Sequence, residues 1–172
     1  GGNFGLMDQL AALKTTQITA LSYNQIKALT SSQIGSLTTD QMGALNAIQL
    51  AALGTANMPA LTTDQIAALN TKAIIGLTTA QIVSLTTEQV EALTPTQVAG
   101  MTSAQIAALT TEDISTFSTS DIAAIGTSAL GGLSTDDIRS LSSTQLQAIT
   151  QTQLEALDAD QIAAVIASYQ SF

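Results

Sequence analysis

Six carboxylates raise the first chemical question about this chain. Asp40, Asp64, Glu88, Glu112, Asp136 and Asp160 follow one another at a constant interval of 24 residues. A repeating series of acids can hold divalent cations or attract a basic partner. Acids also sit close together at Glu112-Asp113, at Asp136-Asp137 and at Asp158 with Asp160, but none has the ligand spacing of a calcium-binding EF-hand loop. Rungs separated by a whole interval are too far apart to share one calcium ion, so no metal site is expected.

The rest of the chemical inventory is thin. The chain has no Cys and no His, which removes disulfides, thiolate and imidazole ligands, and the commonest general base. Ser and Thr abound, yet without His or Cys no nucleophile, base and orienting acid assemble in the usual way. Met42, Met58 and Met101 fall on aliphatic positions of the pattern described below. Haem ligation would then fall on Tyr23 or Tyr169, and neither lies in a pocket-forming segment. No catalytic residue, cofactor-binding residue or metal ligand is assigned, no cofactor is implied, and the chain reads as a non-enzyme.

Charge narrows the partners. Of 172 residues, 10% are charged and 3% aromatic, and the net charge is -9. Only Lys14, Lys27, Lys72 and Arg139 are positive, so a phosphate backbone is repelled and nucleic-acid binding is not expected. No run of about 18 apolar residues exists to span a bilayer. No charged start followed by an apolar stretch marks a signal peptide, and the opening Gly1-Gly2 in place of Met suggests an excised or processed form.

An eight-residue period sets the elements that position these groups. Leu or a close substitute recurs from Leu13 to Val165, and a second aliphatic follows each by five places, from Ile18 to Ile162. The consensus is Leu-Thr-Thr-x-Gln-Ile-x-Ala. Separations of five and then three break the even spacing that a strand requires. A helix start explains every position. In Leu61-Thr62-Thr63-Asp64-Gln65-Ile66, Thr62 is the N-cap, Gln65 closes a capping box, and Leu61 packs on Ile66 as a hydrophobic staple.

The second position is Thr or Ser in most octads and Asn46, Gly54, Asn70, Gly126 or Asp158 in others, with Lys14 the main interior exception. Pro95 takes the first helical position, which tolerates proline, whereas Pro59 is expected to distort its own helix. Small eighth residues such as Ala20, Gly76 and Gly132 let neighbouring backbones approach.

The interval between the acids then acquires a geometrical meaning. If three octads complete one superhelical turn, every third helix lies on the same side. The expected fold is an all-α solenoid with one very short capped helix per octad, three octads per turn and about seven turns. At usual helix spacings it forms a rod on the order of 60–70 Å long. The repeat domain is expected to be single, covering residues 1–172, with octads from about residue 5 and an atypical last octad at 165–172. One octad cannot offset the entropy of ordering itself, so stability must come from stacking between turns. An acid at the second helical residue favours the positive end of the helix dipole, which is the simplest role for the six-acid ladder.

Two further features invite binding. Third-position residues Thr63, Thr71, Thr79, Thr87, Thr111, Thr119, Thr127 and Thr135 form a hydroxyl row of the kind that binds ice or glycans, interrupted by Tyr23, Ala47, Pro95 and Gln151. At the termini, Phe4, Val165, Ile166, Tyr169 and Phe172 supply apolar groups, with Ile166 standing where a cap belongs. These residues either cover the ends of the core or stack on a second copy, and stacking would extend the coil into a filament. Seventh-position residues such as Ile75 and Val83 leave the sides open to lateral contact.

The run Leu77-Thr-Thr-Ala-Gln-Ile-Val-Ser-Leu-Thr-Thr-Glu-Gln-Val-Glu-Ala-Leu93 resembles octapeptide arrays of large bacterial secreted or surface proteins, often labelled haem-utilisation or adhesion proteins. The resemblance covers nearly the whole chain. It implies an extracellular or cell-surface location and an adhesive or structural role, as a rigid stalk or as a subunit that stacks end to end. A Thr-faced ice- or glycan-binding solenoid is the alternative. Self-association is the expected partnership, and the haem label finds no ligand among these residues.

Overall fold

The computed structural model describes residues 9–172, which form short helices and turns with no strand among them. They divide into two compact units between Ala92 and Leu93. In the first unit, Thr15–Thr19, Thr39–Ala44, Thr63–Ala68 and Thr87–Glu91 stack in succession on one side. Tyr23–Lys27, Ala47–Ala52 and Ile74–Gly76 stack on a second side, and Ser31–Gly35 packs on Met58–Ala60 on a third. The second unit repeats the scheme. Pro95–Ala99, Thr119–Ala124 and Ser143–Gln147 form one stack, and Ser103–Ala107, Thr127–Gly132 and Gln151–Ala156 another. Thr111–Ser115, Thr135–Ser140 and Ala159–Ser171 form the last. Each of these helices therefore meets the one three octads away, and the three-octad turn holds within each unit.

Local chemistry drives each restart. Thr62 accepts a hydrogen bond on Oγ1 from the Gln65 amide at 3.1 Å, and Gln65 Oε1 accepts one from the Thr62 amide at 2.9 Å. Both halves of this box recur at most of the helix starts. Lys14 is the exception that the sequence singles out: Gln17 Oε1 still takes the Lys14 amide at 2.8 Å, but the ammonium offers no acceptor in return. First- and sixth-position aliphatics make the core, with Ile34, Met42, Leu50 and Val90 fully buried in the first unit and Ile106, Ile114 and Ile138 in the second. Met42, Met58 and Met101 are all packed there.

Three octads depart from the expectation of one α-helix each. Residues 53–60, 69–76 and 125–132 form turns and the 3-10 helices Met58–Ala60, Ile74–Gly76 and Thr127–Gly132. The cause is a missing capping box. Asn57, Ala73 and Ala129 stand where Gln belongs, Gly54 and Gly126 have no side chain to cap with, and Asn70 Oδ1 turns to the Lys72 amide at 2.8 Å. Gly54 also takes a φ of 74°, open to glycine but strained for other residues. Pro59 lies in the first of these 3-10 segments.

The tighter segments bring backbones closer. A Cβ on Gly76 would run into the backbone of Ala47, and one on Gly132 would meet Ser103 O and lie 2.9 Å from Ala107 N. The octad expected at 165–172 makes no separate helix. Ile166 cannot cap, so Ala159–Ser171 continues as a single helix of 13 residues.

Candidate functional site

The most developed polar arrangement is buried and repetitive, and it centres on the fifth-position Gln. In the first unit the Gln49 side chain is 1% exposed. Its Oε1 accepts from the Asn46 amide at 3.0 Å, closing its own helix start. Its Nε2 donates in the other direction, to Ile18 O at 2.9 Å, Leu21 O at 2.9 Å and Thr19 O at 3.3 Å. Those carbonyls end the helix at the corresponding corner one turn earlier. One amide thus satisfies a helix N-terminus and a helix C-terminus that belong to successive turns.

The tie recurs at constant offsets. Gln41 reaches Leu10 O and Leu13 O, Gln65 reaches Ile34 O and Leu37 O, and Gln89 reaches Met58 O and Leu61 O. In the second unit Gln145, Gln153 and Gln161 do the same to Ile114 and Phe117, Ile122 and Ile125, and Leu130 and Leu133. A capping box uses only the Oε1 half of this residue. A signal for the other half was present: Glu would close the box equally well and suit the dipole, yet no fifth position from 17 to 161 carries Glu.

Asp replaces Gln at Asp113, Asp121 and Asp137, all buried. Each keeps the capping half, as in Ser118 N to Asp121 Oδ2 at 3.0 Å, but none can donate. Asp121 Oδ1 is buried without any hydrogen-bond partner. Burial pushes the Asp121 carboxyl above its ordinary value, outweighing the hydrogen bonds from Ser118 that pull it down.

The six ladder acids are all exposed in the first turn of their helices. In the first unit Asp40, Asp64 and Glu88 lie on successive helices of one stack, and in the second Glu112, Asp136 and Asp160 do the same. Asp136 pairs with Arg139 at 3.6 Å across exposed surface. Among the described residues no three Asp or Glu side chains come together in a geometry that could hold a metal ion.

Three-fold winding divides the third-position Thr row. Thr63 and Thr87 share a side with Thr15 and Thr39, whereas Thr71 belongs to the stack of Tyr23–Lys27 and Ala47–Ala52. The row is therefore no single array, although Thr15, Thr39, Thr63 and Thr87 do form a column beside the acids. At the end of the second unit Ile166, Tyr169 and Phe172 are exposed, but Val165 is buried within its own unit and is unavailable for stacking. Phe4 lies outside the described residues. Among those residues, no helix is long and apolar enough to cross a membrane.

A family model described as the ALTTAQ repeat matches residues 7–47, 39–71, 66–95, 74–103, 91–119 and 132–165. The stretch between the last two matches contains the uncapped start of Thr127–Gly132. No curated protein matches the chain.

Proposed function

We propose that this chain, which belongs to the ALTTAQ repeat family, is a non-enzymatic structural module of an extracellular bacterial protein. It acts as a rigid stalk of a surface adhesin or as a subunit that stacks into a filament. The observation that carries this reading is the Gln tie. Every turn that has one is fastened to the turn before it by buried amide-to-carbonyl bonds as well as by aliphatic packing, a construction suited to transmitting load or holding distance. The repeat family and the resemblance to surface-protein arrays support the structural role, and acidity with zero Cys accords with an extracellular one.

Electron microscopy of the purified chain over a range of concentrations tests the reading. Extended particles of constant width support the stalk, and particles that lengthen with concentration support the filament. Compact particles that neither extend nor assemble refute both. The Thr column at 15, 39, 63 and 87 favours a second reading, a Thr-faced ice or glycan binder. Absence of thermal hysteresis and ice shaping removes its ice form.

A further inference from the structure

The first unit has sides of unlike character. The stack of Thr15–Thr19, Thr39–Ala44, Thr63–Ala68 and Thr87–Glu91 carries Asp40, Asp64, Glu88 and Glu91, with no cation inside its helices and only Lys14 at its first cap. The stack of Tyr23–Lys27, Ala47–Ala52 and Ile74–Gly76 is the reverse. Residues 21–28, 45–52 and 69–76 contain Lys27 and Lys72 and no acid at all. The same octads expose Tyr23, Ile48 and Ile75 at 45%, 66% and 58%, large apolar groups that nothing in the unit covers.

A cleft of about 200 Å³ opens on this second side, lined by Asn46, Asn70 and Lys72 together with Ala44, Leu45, Ala47 and Ala73. Ala73 lines it at the position where most octads carry Gln. Its polar lining is biased toward donors. Asn46 Oδ1 and Asn70 Oδ1 are already accepting from the Gln49 and Lys72 amides, which leaves Asn46 Nδ2 and the Lys72 ammonium as donors among the lining residues. Lys72 has no ion-pair partner among the described residues. Lys27 lies 6.0 Å from the Tyr23 ring centroid at the other end of the stack.

We propose that this basic and apolar side seats the acidic side of a second copy of the chain. A carboxylate of the Asp40, Asp64, Glu88 series enters the Asn46–Asn70–Lys72 cleft. Ile48 and Ile75 then pack on the small residues Gly43 and Ala67 of the partner copy. The two lysines lie two superhelical turns apart, as do Asp40 and Glu88, so both ends of the contact can be matched at once. Exposed ion pairs contribute little by themselves, and the buried isoleucines supply the attraction while the charges fix the register. Because unlike sides meet, the contact is heterologous, and copies close into a ring or add laterally without limit according to the rotation that each contact imposes. The inference rests on the structural reading above and specifies a sideways assembly in addition to end stacking.

Charge reversal in two separate variants tests it. One carries K27E with K72E, the other D40K, D64K and E88K, and circular dichroism confirms that each retains its helices. In sedimentation velocity the unaltered chain is expected to associate with rising concentration and to weaken by roughly tenfold between low and high salt. Each variant alone is expected to stay monomeric at the same concentrations, and an equimolar mixture to associate again, because each supplies the side that the other has lost. The uncharged variant I48S with I75S is expected to abolish association at every salt concentration. A mixture that remains monomeric, or single variants that associate like the parent, overturns the lateral contact. Filaments that persist in both variants would sink this inference while leaving the filament reading intact, and a parent that is monomeric throughout would leave only the stalk.

Discussion

Replacing Gln49 separates a capping residue from an inter-turn tie. Gln49→Ala removes the acceptor for the Asn46 amide at 3.0 Å and the donor for Ile18 O and Leu21 O, both at 2.9 Å. Three net hydrogen bonds at about 0.5–1.5 kcal/mol each give an expected loss of roughly 2–4 kcal/mol, since Ile18 is buried and its carbonyl is left short of a partner. Gln49→Glu is the sharper variant. Glu keeps the capping acceptor, and if capping were the whole role the change would be neutral or stabilising by about 0.3–1 kcal/mol through the helix dipole. In the structure, however, the second oxygen would sit where Nε2 now donates, facing the three carbonyls of residues 18, 19 and 21. An unpaired charge in that place is expected to cost about 3–5 kcal/mol at pH 7. Acidification should narrow the gap, because protonation turns the facing oxygen into a donor. Urea unfolding followed by far-ultraviolet circular dichroism measures all three proteins. A Q49E midpoint at or above that of the parent at pH 7 would refute the tie.

Three further outcomes follow from individual residues. Gly76→Ala should cost about 1–3 kcal/mol, because its Cβ meets the Ala47 backbone, whereas Gly131→Ala, with nothing within 4 Å, should change thermal stability by no more than about 0.5 kcal/mol. Lys14→Ser supplies the missing N-cap acceptor and should stabilise the first helices by about 1 kcal/mol, read as a rise in the urea midpoint. Asp121→Asn should stabilise by about 1 kcal/mol at neutral pH, since the buried Oδ1 has no partner. The sign follows from a folded-state pKa raised above the unfolded one: the penalty is full above the folded value and vanishes below the unfolded value. Urea midpoints of parent and D121N should therefore converge on acidification, and a gap that stays constant with pH contradicts the assignment.

Much of this architecture is legible in the residues because one local device is repeated. Thr62, Gln65 and the Leu61–Ile66 staple specify where a helix begins, and the spacing of Asp40, Asp64 and Glu88 reports how many helices make a turn. What the residues do not show directly is a second role for a side chain that already has one. Once Gln65 had a role at its own helix start, its amide nitrogen was left without one, and the bonds to Ile34 O and Leu37 O are non-local and invisible to any window of eight. The three 3-10 octads are a related case. Gly54, Asn70 and Gly126 are residue types that suit a cap, but a cap without Gln three residues on closes only half a box, and Asn57, Ala73 and Ala129 mark all three failures. At the C-terminal end the loss of a cap at Ile166 was visible, while its consequence, a helix that simply continues, follows from the absence of any stop before Ser171.

The ladder of acids also asks for more than its local explanation. The helix dipole accounts for an acid at the second helical residue, but every N-terminus in the chain offers the same benefit, so it predicts acids scattered over all three sides. The second helical residues Thr16, Ser32, Ile48, Ala80, Thr96, Ala104, Ser120, Thr144 and Thr152 leave that benefit unused. Among the described residues, confinement of the second-position acids to one stack in each unit is thus a property of the surface and not of the helix. In the first unit it leaves an adjoining stack without acids, and there the chain carries Lys27, Lys72, Ile48 and Ile75. Acids gather on one side of the first unit, and Lys27 and Lys72 with bare isoleucines on another, whereas solubility alone asks only that charges be interspersed. Their coexistence is what a surface organised for unlike sides to meet requires, and it is the reason to look sideways as well as end to end for the contacts this chain makes.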